Sequence, residues 1–235
     1  MKIEVIFEKE KIADKYSCGW GASYLIDGRI LFDTGEKSEY ILNNMNLLDV
    51  DISKIEKIVI SHNHWDHIGG VWELLKINKN IEIFACLDFL DEFKDKIEAY
   101  DFKLISSSQK IIEGVYTTGD INIETKDSSF REQALVIKTE KGLSIICACS
   151  HDGILKFIRK AKEMFVDERV YSVIGGFHLI DADRRTINYV IEESKNAGVE
   201  KVGPSHCTGF EAISLLKEKY LNNFLENKVG IKLEV

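Results

Sequence analysis

Ser61-His62-Asn63-His64-Trp65-Asp66-His67-Ile68-Gly69-Gly70 follows the apolar run Ile55 to Ile60 and precedes the helical Val71-Trp72-Glu73-Leu74-Leu75. A short β-branched run ahead of turn residues reads as a buried strand, so the segment predicts strand, polar loop, helix. Three of the chain's six histidines fall inside this one loop, with an acid interleaved. In extended backbone, residues two apart point the same way, so His62 and His64 can grip one ion about 2.0–2.1 Å away. Asp66 and His67, displaced by the turn, can address a second. Gly69 and Gly70 let the backbone fold tightly before the helix. A polar loop that merely happens to hold histidines leaves the interleaved acid unexplained.

The other three histidines, His151, His178 and His206, each follow a predicted buried strand as well. In open α/β sheets ligands bind at the carboxyl ends of strands, so four strand ends delivering histidine point to one convergent site. Around them the chain alternates strand and helix. Strands are predicted at Ile3 to Phe7, Ala22 to Ile26, Arg29 to Phe32, Ile81 to Ala85, Leu143 to Cys149, Val170 to Ile174 and Val199 to Val202. Helices are predicted at Ser38 to Leu48, Leu87 to Phe93, Ile154 to Met164, Thr186 to Asn196 and Gly209 to Tyr220. Gly114 to Glu124 and Gln133 to Thr139 read as antiparallel β. The mixture points to α/β with two sheets. The only proline is Pro204 and no linker or repeat punctuates the sequence, so residues 1–235 read as a single domain.

H-x-H-x-D-H after an apolar strand resembles the signature of the metallo-β-lactamase superfamily. Leu31-Phe32-Asp33-Thr34-Gly35 resembles the superfamily's upstream strand and turn, whose acid supports the metal loop from behind. Cys147-Ala148-Cys149-Ser150-His151-Asp152-Gly153, Gly175-Gly176-Phe177-His178-Leu179 and Pro204-Ser205-His206-Cys207-Thr208-Gly209 resemble its downstream motifs. The combination is similar to the subgroup of the dihydropterin ribofuranosyl-aminobenzene phosphate synthase family. The resemblance implies a metallo-β-lactamase-like four-layer αβ/βα sandwich with two mixed sheets. It implies a first metal held by His62, His64 and His151 and a second by Asp66, His67 and His206, with Asp66 also counted in the catalytic machinery. Many members bridge the ions with an aspartate where this chain runs Ser150-His151, a departure that leaves the bridge absent or replaced. Asp152 is the nearest substitute, but its place ahead of Ile154-Leu155-Lys156-Phe157 also reads as a helix start, the preferred reading.

Two ions about 3.5–4 Å apart can lower the pKa of a shared water and polarise the bond it attacks, which is hydrolysis without a protein nucleophile. Zinc suits this donor set, as one or two ions, and manganese or iron are tolerated. His178 is open to two readings: a catalytic proton donor or oxyanion stabiliser, or a hydrogen-bonded structural residue. Trp20, Trp65 and Phe177 either wall a pocket or belong to the core. The expected activity is metal-dependent hydrolysis of a small ester, phosphoester or related substrate. Two alternatives stand beside it, a pterin-related synthase on the same fold and a non-catalytic metal-bound sensor or scaffold. Three-ligand sets leave coordination positions open, which favours an enzyme over a structural site. An iron-dependent redox protein on the same fold is a minor further candidate, since no flavin or haem signature is present.

The formal net charge of -8 argues against nucleic acid as a partner. The N-terminus interleaves charges with apolar residues, and no run approaches the roughly 20 apolar residues that span a bilayer. Five cysteines without an export signal fit a reducing cytoplasm. Cys147 and Cys149, two apart in an apolar run, read as small core residues facing one side of a sheet.

Overall fold

The computed structural model describes residues 1–89, 93, 96, 99–124 and 129–235. It divides the chain into two compact units, one of residues 1–107, 119–133 and 228–234, the other of 108–118, 134–227 and 235.

The first unit is built on a seven-stranded mixed sheet. β1 (Lys2–Phe7), β2 (Ser23–Ile26) and β3 (Ile30–Phe32) run antiparallel, β4 (Lys57–Val59), β5 (Glu82–Cys86) and β6 (Phe102–Ile105) continue parallel to β3, and the C-terminal β15 (Lys232–Glu234) closes the other edge antiparallel to β1. The predicted hairpin closes through Asp27 and Gly28, both left-handed at φ 46° and 70°, with Arg29 N–H donating to the Ile26 carbonyl at 3.0 Å. Helices α1 (Ser38–Leu47) and α3 (Val71–Ile77) place Ile41, Met45, Val71, Leu74 and Leu75 in one core with Phe7, Leu31, Ile58 and Ile83. Each such side chain, fully buried, contributes roughly 1.5–3 kcal/mol against exposure. Between these helices lies the single-turn α2 (Trp65–Ile68). The helix expected at Leu87 to Phe93 falls partly on residues outside those described.

The second unit carries a six-stranded mixed sheet. Its antiparallel part is β7 (Gln109–Ile112), β8 (Val115–Thr117), β11 (Leu135–Thr139) and β12 (Gly142–Cys147), and β13 (Val170–Gly176) and β14 (Lys201–Ser205) run parallel to β12. β9 (Ile121–Glu124) and β10 (Ser129–Glu132) form a separate ribbon belonging to the first unit. β12 and β13 are buried along their whole length, as strands covered on both faces must be, and their one polar pair, Ser144 and Ser172, is satisfied by an Oγ–Oγ hydrogen bond of 2.8 Å. Helix α4 (Ile154–Met164) buries Ile154, Phe157, Ile158 and Ala161 at helical spacing. Helix α5 (Arg184–Asn196) begins two residues earlier than its apolar pattern predicted, because Asp183 caps it by accepting from Thr186 N–H at 2.7 Å. Helix α6 (Phe210–Tyr220) follows β14.

Two mixed sheets with helices bear out the α/β class. β6 and β7 were not anticipated, and the strand predicted from Ile55 narrows to Lys57–Val59. Among the described residues no helix is long and apolar enough to cross a membrane. None of the five cysteines forms a disulfide.

Candidate metal centre

In the first unit, β3 and β4 end side by side and deliver Asp33 and the histidine loop together. Asp33 takes a left-handed φ of 59°, tolerable for aspartate, which turns its carboxylate into the loop. There Oδ1 accepts from Ser61 N–H at 2.7 Å, and Oδ2 accepts from Ser61 Oγ at 2.6 Å and faces His67 Nδ1 at 2.8 Å. Ser61 spends its one hydroxyl hydrogen on Asp33, so its contact with His62 Nδ1 at 2.7 Å requires that nitrogen to donate. His62 therefore presents its lone pair on Nε2. The same logic holds His67 Nδ1–H on Asp33 and turns Nε2 the other way. A carboxylate fixing the far nitrogen of an imidazole is the usual support of a metal-binding histidine.

The four cluster residues converge. The ring centroid of His62 lies 4.5 Å from that of His64 and 4.3 Å from that of His67. Candidate ligand nitrogens of His62 and His64 lie within 4.8 Å of each other. The convergence does not come from continuous extended backbone: the chain bends at His62 and Asn63, and only His64 is extended, as the residue capping α2. His62 and His67 are buried and His64 is half-buried against Phe130 of β10, centroids 4.8 Å apart, a neighbour that no sequence pattern marks.

Close backbone approach holds the loop in place. Thr34 N–H and Oγ1 both donate to the His67 carbonyl, at 2.8 and 3.0 Å. A Cβ on Gly69 would stand 2.2 Å from the Glu36 carbonyl, so this glycine serves contact rather than an unusual φ. Gly21 serves both: φ is 112°, and a Cβ there would meet the Asp66 carbonyl oxygen at 2.0 Å.

A cation fits these residues. Donors sharing one ion at about 2.0–2.2 Å stand roughly 3–3.4 Å apart, and Asp66 Oδ2 lies 3.2 Å from His67 Nε2. Burial pulls the His67 pKa down, but the carboxylates of Asp33 and Asp66 more than reverse this and hold it up, at about 10. The imidazolium proton facing Asp66 thus occupies the place of a positive ion. The surroundings are built for positive charge.

In the second unit, the three parallel strands β12, β13 and β14 end at Cys147, Gly176 and Ser205, and the segments that follow them carry Ser150-His151, His178 and His206, so each histidine follows a strand as predicted. Ser150, His178 and His206 all adopt left-handed backbone, φ 60°, 50° and 50°. Such non-glycine residues each store on the order of 1–3 kcal/mol and gather at functional sites. The loops are stitched together: Ser150 Oγ donates to the Gly176 carbonyl at 2.8 Å, Phe177 N–H to Thr208 Oγ1 at 3.0 Å, and Ile180 N–H to the Cys207 carbonyl at 3.1 Å. His151 and His178 rings lie 4.6 Å apart, with His178 exposed. His206 is buried, its Nε2 3.1 Å from Cys149 Sγ.

Two sequence expectations change, and one left open is decided. Cys149 is not a strand residue beside Cys147, because β12 stops at Cys147 and Cys149 lies in the loop with His206 and Cys207, ligand atoms within 4.8 Å of one another. Asp152 does not cap α4, whose cap is Gly153 at φ 83°; its exposed carboxylate pairs with Lys156 instead. Phe177 is core, whereas Trp65 is at the surface and Trp20 half-buried beneath the Lys9 ammonium at 4.6 Å.

Comparison with known proteins gives a consistent result. Residues 19–123 match the metallo-β-lactamase superfamily. The chain is 36% identical over 252 residues to the 7,8-dihydropterin-6-methyl-4-(β-D-ribofuranosyl)-aminobenzene-5'-phosphate synthase of Methanocaldococcus jannaschii, covering 87% of this chain and 86% of the relative. It is 25% identical to a hydroxyacylglutathione hydrolase of Francisella philomiragia, covering 75% of this chain and 61% of that one. A solved structure described as a metal-dependent hydrolase of the β-lactamase superfamily superposes with a TM-score of 0.84 at 29% identity, covering 100% of this chain and 99% of that one. The chain belongs to the metallo-β-lactamase superfamily, whose members are metal-dependent, and is similar within it to the archaeal synthase.

Proposed function

We propose that the protein is a metal-dependent hydrolase acting on a small ester, phosphoester or related substrate in the cytoplasm. The observation that carries this reading is the Asp33–His67–Asp66 relay, in which one carboxylate fixes Nδ1 and the other stands 3.2 Å from Nε2. On the resemblance, His62, His64 and His151 would hold one ion and Asp66, His67 and His206 a second, with residues 1–235 read as a single domain. Zinc is the assigned metal. Ions held there supply Lewis acidity and make water a nucleophile at neutral pH.

The chain's own residues do the rest. Asp33 and Ser61 set which nitrogen each histidine offers, and Asp66 contributes negative charge beside the reacting groups. His178, exposed at the end of β13, is assigned proton transfer to the leaving group. The absence of a nucleic-acid partner rests on the net charge of -8.

The 36% identity to the archaeal synthase favours a second reading, a pterin-related synthase. One experiment separates them: purified, zinc-loaded protein is screened against generic esters, lactones and phosphodiesters, and in parallel for formation of the dihydropterin compound the relative is named for. Hydrolysis that disappears on chelation and returns with zinc supports the first reading. Formation of the dihydropterin compound without hydrolysis overturns it in favour of the second, and metal-loaded protein inactive in both assays overturns both.

A further inference from the structure

We infer that Cys149 is a thiolate ligand of the ion assigned to His206, an inference that rests on the metal reading above and adds a sulfur donor to it. Cys149 Sγ lies 3.1 Å from His206 Nε2, and both side chains are buried. Sulfur at about 2.3 Å and nitrogen at about 2.0–2.1 Å from one ion stand roughly 3.1–3.6 Å apart between right-angled and tetrahedral geometry. The pair therefore already has the spacing of two adjacent ligands.

The backbone is arranged to produce this pair. β12 releases the chain at Cys147, Ser150 turns it left-handed at φ 60°, and His206 is itself left-handed at φ 50°. Two strained residues, each just beyond the end of a strand, bring one thiol and one imidazole against each other. Cys207 Sγ, by contrast, donates to the Cys149 carbonyl at 3.3 Å and so supports the loop.

Chemistry gives the pair a purpose. The carboxylate expected near this strand end is missing, since Asp152 is exposed and engaged by Lys156. Cys149 restores the negative charge: its S–H bond breaks, the proton leaves to solvent, the sulfur–metal bond forms, and nothing is oxidised or reduced. A thiolate also sorts metals, favouring zinc or ferrous iron over manganese or magnesium.

The test is titration of metal-free, full-length protein with cobalt(II), reading bound cobalt and the near-ultraviolet thiolate-to-cobalt charge-transfer band together. The wild type is expected to bind cobalt and develop the band. Cys149→Ser is expected to lose it, while Cys207→Ser and Cys86→Ser keep it. Cobalt binding without the band, survival of the band in Cys149→Ser, or its loss in Cys207→Ser alone overturns the inference and leaves the metal reading standing. No cobalt bound by folded wild type overturns both. Should Cys149→Ser fail to fold, X-ray absorption of the wild-type zinc protein decides: a sulfur neighbour at about 2.3 Å is expected, and a shell of only nitrogen and oxygen overturns it.

Discussion

Replacing Asp33 by asparagine keeps the shape of the side chain and exchanges one acceptor oxygen for a donor. Asp33 is fully buried and meets three donors: Ser61 N–H and Ser61 Oγ–H at 2.7 and 2.6 Å, and His67 Nδ1 at 2.8 Å. Either orientation of the amide turns its NH2 onto at least one of them. With NH2 on the Oδ2 side, His67 must give up its Nδ1 proton and carry one on Nε2, the atom that faces Asp66. A histidine protonated there has no lone pair for an ion. With NH2 on the Oδ1 side, Ser61 N–H is left unsatisfied in a buried position, and unmade hydrogen bonds of this kind cost about 1–3 kcal/mol. Loss of such supporting partners lowers metal affinity about 10–100-fold, or about 1.4–2.8 kcal/mol. Zinc titration against a competing chelator, with denaturant unfolding of the metal-free protein beside it, measures both. Unchanged zinc affinity in a folded Asp33→Asn variant would show that Asp33 does not set the His67 tautomer.

Three further outcomes are expected. Glu82 at the start of β5 is pushed up by burial but pulled further down by Lys103 and Lys57, so its folded pKa lies below the ordinary range. Its stabilisation is therefore complete above an unfolded value of about 4.3 and fades as pH falls through the folded one. Unfolding free energies from urea titrations of wild type and Glu82→Gln should differ by about 0.5–1 kcal/mol at pH 7 and merge in strong acid; a gap that widens in acid contradicts the pairing. Gly21→Ala should lose at least about 1–3 kcal/mol, since its Cβ would overlap the Asp66 carbonyl oxygen at 2.0 Å; a thermal melt at the wild-type temperature would show that contact to be relaxed. His178→Ala should keep its metal and lower turnover about 10²–10⁴-fold; loss of metal would make it a ligand, and full activity would leave it structural.

Much of this was legible in the sequence because buried parallel strands and amphipathic helices announce themselves by composition and period. Helix α4 falls where its apolar spacing placed it, and every histidine stands past the end of a parallel strand. β6 and β7 escaped notice because they are edge strands with little burial, β7 reading Gln109-Lys110-Ile111-Ile112, and their partners are set by the sheet rather than by their own pattern. Cys149 is buried, as its apolar surroundings imply, but the strand stops at Cys147 while the apolar run continues, so composition does not mark the break that takes Cys149 out of the strand. The partnership of Asp33 with His67 spans 34 positions. Resemblance to a known motif located the acid there, and periodicity alone would not have.

Whether the chain binds transition metal through the loop after β4 is decided by elemental analysis of purified, zinc-supplemented full-length protein beside a His62→Ala, His67→Ala double variant. The wild type is expected to carry about one or two ions per chain and the folded variant at most a small residue of that; a folded wild type with none, or a variant with the wild-type complement, would contradict binding there.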